Sequence, residues 1–244
     1  MKKRKKWPIV LGSVITILVV LTVAFFIYAG QYYHADNEAI QALAGSNLIE
    51  VKQNDNELIF KPQSGESKKG FIFYPGGKVE DTAYDPLMKN LVKKGYTCII
   101  VRMPFNLAVF DMNAADDVIK NHPEITSWYI GGHSLGGAMA ASYAAEHSKQ
   151  ISGLALMGAY STKDLSASSM KIVSVYGSKD GVLNKEKYIK NKANLPSSFK
   201  ELCIEGGNHA GFGNYGQQKG DGQAAITAEK QQQITADTIA QAFE

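Results

Sequence analysis

The stretch WYIGGHSLGGAMAASYA, residues 128–144, decides the fold. It opens as a short unbroken apolar run, the pattern of a strand covered on both faces. It ends in a run of Ala and Gly that reads as a helix of small side chains. Between them stands Gly132-His133-Ser134-Leu135-Gly136, a G-x-S-x-G sequence. A strand, a sharp turn carrying one serine, and a helix together lift that serine hydroxyl onto strained backbone at the edge of a sheet. Such a turn closes only if its neighbours are small, and Gly132 and Gly136 meet that need on both sides. In a chain with 23 glycines the motif alone is weak. The strand before it and the helix after it give it weight.

Outward from this turn the same alternation repeats. FIFYP, TCIIVRM, GLALMG, IVSVYG and FKELCIEG are further short apolar runs. Helix-like stretches over 82–94, 106–121, 135–149, 184–194 and 223–243 separate most of them. Alternating strand and helix predicts a mostly parallel sheet with helices on both faces. Ahead of it, LIEVKQ and ELIFKP alternate apolar and polar residues around Asn54-Asp55-Asn56, a hairpin signal. Only the Ser-rich stretch from Tyr160 to Met170 joins the strands GLALMG and IVSVYG. That is too little chain for an inserted lid domain, so an open site is expected.

A serine hydroxyl needs a base to become a nucleophile. Of five histidines, His209 stands in GGNHAGFG, a glycine-rich loop after the last strand. Loops at the carboxyl edge of a parallel sheet form its ligand crevice. His34 lies near the N-terminal segment and His122 in a loop before Pro123. His133 is beside the serine but is expected to point elsewhere, and His147 ends a helix. An imidazole acting as base needs an acid to fix its tautomer. Asp180, in GSKDG after the strand IVSVYG, is the candidate. Asp164 in the Ser-rich connector is its rival, and Asp116 and Asp117 lie on a helix. The order Ser134, Asp180, His209 matches the chain order of a Ser…Asp…His triad on such a sheet. The oxyanion would take one hydrogen bond from the amide of Leu135. The second donor is expected from Pro75-Gly76-Gly77-Lys78, with Gly77 favoured over Gly76. This chemistry needs no metal and no organic cofactor, and no CxxC or Cys/His cluster suggests a zinc site.

The segments FYPGGKVE, VRMPFNLAVF, GGHSLGGAMA, YGSKDGV and GGNHAGFGNYG together resemble the small lidless α/β-hydrolase family, family 5, which is related to the dienelactone hydrolases. The resemblance covers about residues 48–243. It implies an α/β-hydrolase fold with an eight-stranded sheet whose first hairpin is partly antiparallel, and a membrane anchor is common in such proteins. Ser134 stands where dienelactone hydrolases have cysteine, so their substrate is not carried over. In the strand order 1-2-4-3-5-6-7-8, Cys98 and Cys203 lie far apart, beyond the ~7 Å between Cα atoms that a disulfide spans. Both are expected to be free and buried.

The chain of 244 residues carries a net charge of +3, but five cations occupy positions 2–6, which leaves the remainder at −2. A near-neutral body gives no reason to expect a nucleic-acid partner. From Ile9 to Ala29 no residue is charged. About 20 apolar residues suffice for a helix to cross ~30 Å of hydrocarbon. A cleaved signal has a shorter apolar region and small residues at its end, whereas Phe25, Phe26, Ile27 and Tyr28 stand there. An uncleaved anchor is therefore expected, with secretion after cleavage as the alternative. Cations before the span and none in residues 31–50 put the N-terminus in the cytoplasm and the body outside. The expected organisation is a basic tip and anchor over 1–30, a stalk over 31–46 and a hydrolase domain over 47–244. The expected activity is cleavage of small-molecule carboxylic esters with small or medium acyl groups. Acyl transfer or peptide cleavage with the same triad, and an inactive envelope binding protein, are the alternatives.

Overall fold

The structure is a computed structural model. It describes residues 7–43, 48–63, 65 and 67–244. The cations at positions 2–6 and the Gly45-Ser46 end of the expected stalk lie outside the described residues. The chain divides into two compact units, Met1–Tyr32 and Tyr33–Glu244. The first unit is helix α1, Trp7–Gly30. Within it Val10–Gly30, 21 residues, is long and apolar enough to cross a membrane.

The second unit is built on eight strands: β1 Ile49–Gln53, β2 Glu57–Pro62, β3 Lys69–Tyr74, β4 Thr97–Val101, β5 Ser127–His133, β6 Ile151–Met157, β7 Lys171–Gly177 and β8 Lys200–Ile204. They form one sheet in the order β1-β2-β4-β3-β5-β6-β7-β8. The hairpin β1–β2 and the pair β2–β4 are antiparallel; every later pair is parallel. The Asn54 side chain closes the hairpin by accepting from the amides of Asn56 and Glu57, each at 2.8 Å. Successive side chains of a strand point to opposite faces, and β3 uses both. Phe71 and Phe73 enter one core layer with Leu87, Leu91, Ile239 and Phe243, while Ile72 and Tyr74 enter the other with Ile130, Ala140 and Ala144. Burial on both faces is the reason its apolar run is unbroken.

Six helices flank the sheet: α2 Asn37–Leu43, α3 Asp85–Val92, α4 Ala115–Asn121, α5 Leu135–Glu146, α6 Lys185–Asn191 and α7 Ala228–Phe243. The helix expected over 106–121 is shorter than its pattern implied. Phe105 and Asn106 take positive φ, 57° and 55°, and the Asn106 carbonyl accepts from the Lys78 amide at 2.7 Å. That leaves two single turns, Pro104–Asn106 and Ala108–Phe110, before α4. Residues 223–227 are likewise not helical, because the Ala225 amide bonds the Gly206 carbonyl and Thr227 caps α7.

Two further expectations are corrected. Over the described residues 33–43 the expected stalk belongs to the body. Tyr33 pairs with Val79, with the Tyr33 amide donating to the Lys78 carbonyl at 2.7 Å and the Glu80 amide to the Tyr33 carbonyl at 2.9 Å. Asp36 accepts from the amides of Glu38 and Ala39, starting α2, and its own amide donates to the Asn214 carbonyl. Both cysteines are free, but only Cys98 is buried. Cys203 is exposed because β8 is an edge strand whose residues are mostly uncovered. Residues 158–170 alone join β6 to β7, and no further domain is inserted there.

Candidate active site

Ser134 terminates β5 with φ 53° and ψ −122°, a conformation costing on the order of 1–3 kcal/mol for a residue with a side chain. The surrounding backbone holds it there. The Ser134 amide donates to the Met157 carbonyl at 2.9 Å, and the Ser134 carbonyl accepts from Ala138 in the first turn of α5. The strand and the helix meet backbone to backbone. A Cβ on Gly136 would lie 2.2 Å from the carbonyl oxygens of Tyr74 and Pro75, and one on Gly132 would lie 2.6 Å from the Gly136 carbonyl carbon. Real Cβ atoms do not approach so closely, so glycine is required at both positions.

Asp180 and His209 come together at the same edge of the sheet, from the loops after β7 and β8. His209 Nδ1 lies 2.9 Å from Asp180 Oδ2, and both residues are buried, at 1% and 3% exposure. The other carboxylate oxygen of Asp180 accepts from the amides of Val182 and Leu183, at 2.9 and 2.8 Å. With Nδ1–H directed at Asp180, His209 Nε2 is the atom left to accept a proton. Nε2 is buried and has no hydrogen-bond partner among the described residues. Gly158 connects this ring to the serine turn. It follows Met157, which holds the Ser134 amide, and a Cβ on Gly158 would fall 3.0 Å from His209 Nδ1. Among the described residues Ser134 and His209 share no direct hydrogen bond.

The rival carboxylates stand elsewhere. Asp164 is exposed and turned to Ser166, accepting from its amide and hydroxyl at 2.9 and 2.6 Å. Those bonds hold its carboxyl below the ordinary range. Asp116 of α4 accepts from the Tyr143 hydroxyl at 2.7 Å. His122 sits between Glu57 and Glu124, and His147 stacks on Tyr143.

The two glycines of the loop after β3 differ. The Gly76 amide donates to Tyr84 Oη at 3.0 Å, and Tyr84 Oη lies 2.9 Å from His133 Nδ1. The amides of Gly77 and Leu135 have no hydrogen-bond partner among the described residues. The two residues are adjacent, since a Cβ on Gly77 would lie 2.9 Å from Leu135 Cδ2. His133 was expected to point away from the site. Instead its ring lies against that of His209, with centroids 4.4 Å apart. Burial, and then the neighbouring His209, hold its pKa well below the ordinary value.

Sequence reasoning also missed the groups that hold the histidine loop. Gln231 of α7 accepts from the Asn208 amide at 3.0 Å and donates to the Asn208 carbonyl at 2.7 Å. Asp221 accepts from the amides of His209 and Ala210. Neither carries a motif; a buried Gln amid QQQ in an amphipathic helix reads as surface. Asp36, Asn208, Ala210, Asn214, Gly222 and Gln223 line a cavity of about 540 Å³, and Ser134 is not among its lining residues.

Residues 70–233 match the model of the alpha/beta hydrolase family. No protein of curated function matches by sequence. Among solved structures, the chain is similar to Est1E from Butyrivibrio proteoclasticus, with 13% identity, a TM-score of 0.57, and coverage of 80% of this chain and 98% of that one. It is similar to a predicted CIB-like hydrolase from Thermoplasma acidophilum at 16% identity and TM-score 0.56, covering 79% and 97%. It is also similar to an esterase from Thermogutta terrifontis at 15% identity and TM-score 0.53, covering 80% and 92%. These likenesses carry the fold. The family match extends over two thirds of the sequence, and the chain belongs to the alpha/beta hydrolase family.

Proposed function

We propose that this hydrolase cleaves carboxylic esters of small or medium acyl groups through Ser134, His209 and Asp180. The observation that carries the reading is the buried Asp180–His209 pair at the sheet edge where Ser134 sits on strained backbone. Ser134 Oγ attacks the ester carbonyl carbon as its proton passes to His209 Nε2. Asp180 orients the ring and stabilises the imidazolium. The carbonyl oxygen, now anionic, takes hydrogen bonds from the amides of Gly77 and Leu135, and the engagement of Gly76 by Tyr84 supports Gly77 as the donor. Collapse breaks the bond to the alcohol, which leaves with the proton from Nε2. Water then attacks the acyl-serine with His209 again as base, releasing the acid and restoring Ser134. No step calls on a metal or cofactor. Two of the similar proteins, described as a predicted CIB-like hydrolase and as a thermophilic esterase, agree with this class of chemistry.

Ser134→Ala is expected to abolish both ester hydrolysis and labelling by a fluorophosphonate probe while leaving the fold intact, as read by circular dichroism. A variant that still labels fully would overturn the assignment.

In this reading residues 9–29 anchor the enzyme and the body lies outside the cell. The length of α1 and the cations ahead of it support this. Protease added to intact cells or protoplasts is expected to digest the body and spare the N-terminus. Protection of the body would reverse the orientation, and a mature chain beginning near Gln31 would make the segment a cleaved signal.

A further inference from the structure

We infer that Asp221 is the positioning residue that fixes the base against the acid, an inference that rests on the reading of Ser134, Asp180 and His209 as a triad. The two members of the Asp180–His209 pair come from the loops after the neighbouring strands β7 and β8, and these loops bond each other through the Lys179 amide and Gly207 carbonyl at 2.8 Å and the Gly206 amide and Ser178 Oγ at 2.9 Å. Asp221 adds the ties that reach the residue after the acid and the base itself. Its Oδ1 accepts from the Gly181 amide at 3.0 Å and the His209 amide at 3.2 Å, and its Oδ2 accepts from the Ala210 amide at 2.8 Å. One carboxylate thus bonds the residue after the acid, the base itself and the residue after the base. Its Oδ1 also accepts from the following amide, Gly222, at 2.8 Å. Among the described residues no ion pair includes Asp221. Amide N–H groups satisfy it where a cation otherwise would.

The surrounding backbone is shaped to bring that carboxylate in. A Cβ on Gly222 would lie 2.0 Å from the Lys179 carbonyl oxygen, and one on Gly181 would lie 2.6 Å from the Gly220 carbonyl oxygen. The tip at 220–222 therefore rests directly on the turn that carries Asp180. Gly220, at φ 85°, supplies the left-handed residue that such a tip needs. Asp221 touches neither His209 ring nitrogen. It acts through the backbone, and its effect must pass through the 2.9 Å contact between Asp180 and His209.

An asparagine at 221 has the same shape but only one acceptor oxygen. Its NH₂ would face an amide N–H, so one of the two bonded sets must open. A misplacement of about 1 Å at a reacting group costs on the order of 10²-fold in rate. The test uses the full-length chain in detergent and four proteins: wild type, Asp221→Asn, Asp180→Asn and the double variant. Asp221→Asn is expected to lower kcat on the order of 10²-fold with KM nearly unchanged. In the Asp180→Asn background the same change should cost about twofold at most, because the contact it supports is already lost. Wild-type kcat in Asp221→Asn, or two losses that multiply in the double variant, would overturn the inference. If Asp221→Asn does not fold, amide hydrogen exchange in the wild type decides. Gly181, His209 and Ala210 should be protected together, and exchange at open-loop rates would overturn it. Failure of the triad reading is separate: it appears as wild type that neither hydrolyses esters nor takes the fluorophosphonate probe, whereas the exchange measurement still reads Asp221.

Discussion

The two walls of the site are held by different means. The serine wall is backbone on backbone: β3, β5 and the start of α5 approach so closely that glycine is the only residue possible at 132 and 136. The histidine wall is side chain on backbone. The Asp180 carboxylate bonds two amides of its own turn, and Gln231 and Asp221 brace the loop that carries His209. A wall that excludes every side chain writes itself into the sequence as a spacing of glycines. A wall assembled from polar side chains reaching across loops leaves single residues at irregular positions. The first is therefore rigid and recognisable, while the second is adjustable and hard to read.

The strongest way to probe this contrast is to strike the histidine wall where it meets the ring. Asp180→Asn keeps the shape of the turn but leaves His209 Nδ1 without a charge partner. Turnover should fall on the order of 10⁴-fold, as loss of the acid does in Ser-His-Asp systems. Asp164→Asn should leave turnover unchanged, since Asp164 is exposed and engaged with Ser166. Steady-state kinetics of the two variants decide the matter. If Asp164→Asn is the damaging change, the acid has been misassigned.

A smaller effect is expected where the walls are joined. Tyr84 Oη accepts from the Gly76 amide and lies 2.9 Å from His133 Nδ1, tying the loop after β3 to the residue before the serine. Tyr84→Phe leaves both buried groups unpaired, at a cost of about 1–3 kcal/mol each. Folding stability should fall by an amount of that order. kcat should fall roughly tenfold through a looser Gly77 amide, since about 1.4 kcal/mol of lost transition-state stabilisation is a factor of ten. Thermal denaturation and kcat measured on the same variant check both. An unchanged kcat beside a lowered Tm would make the link structural only.

The sheet was legible because its residues obey one rule. Ile72, Ile99, Ile130 and Leu154 are buried in their strands, so short apolar runs revealed the strands, whereas their order in the sheet came with the family resemblance. The strained turn at Ser134 was legible through its glycines, and the sheet-edge placement of Asp180 and His209 through their positions after strands. Where the reading failed, a polar atom outweighed the pattern. The carbonyl of Asn106 draws the chain toward Lys78 and cuts short a predicted helix. The carboxylate of Asp36 and the backbone of Tyr33 turn an expected stalk into part of the body. Such bonds depend on which loops meet in space, and spacing along the chain does not reveal that.

The smallest effect separates burial from function beneath the serine wall. Asp85 follows Tyr84 at the start of α3, is fully buried, and neither carboxyl oxygen has a hydrogen-bond partner among the described residues. Burial, and then the nearby Asp81, push its pKa up to about 8, against partial relief from Lys89 and Arg102. An unfolded aspartate titrates near ~4. Between those values the folded chain holds a proton that the unfolded chain has lost, so stability falls as pH rises. The contribution is fully present below about pH 4, is lost progressively above it, and is gone beyond about pH 8. Asp85→Asn places a neutral group of the same shape there and removes this slope. The variant should therefore melt higher than the wild type at pH 8, by a margin on the order of a few kcal/mol, with the difference shrinking as pH falls toward 5. Asp85 touches none of the reacting groups, so kcat at pH 7 should stay within about twofold. Thermal melts of both proteins from pH 5 to 9 read the first expectation. A constant difference across that range would show that Asp85 is ionised in the folded state. A large loss of kcat would place it in the serine wall after all, acting through its neighbour Tyr84.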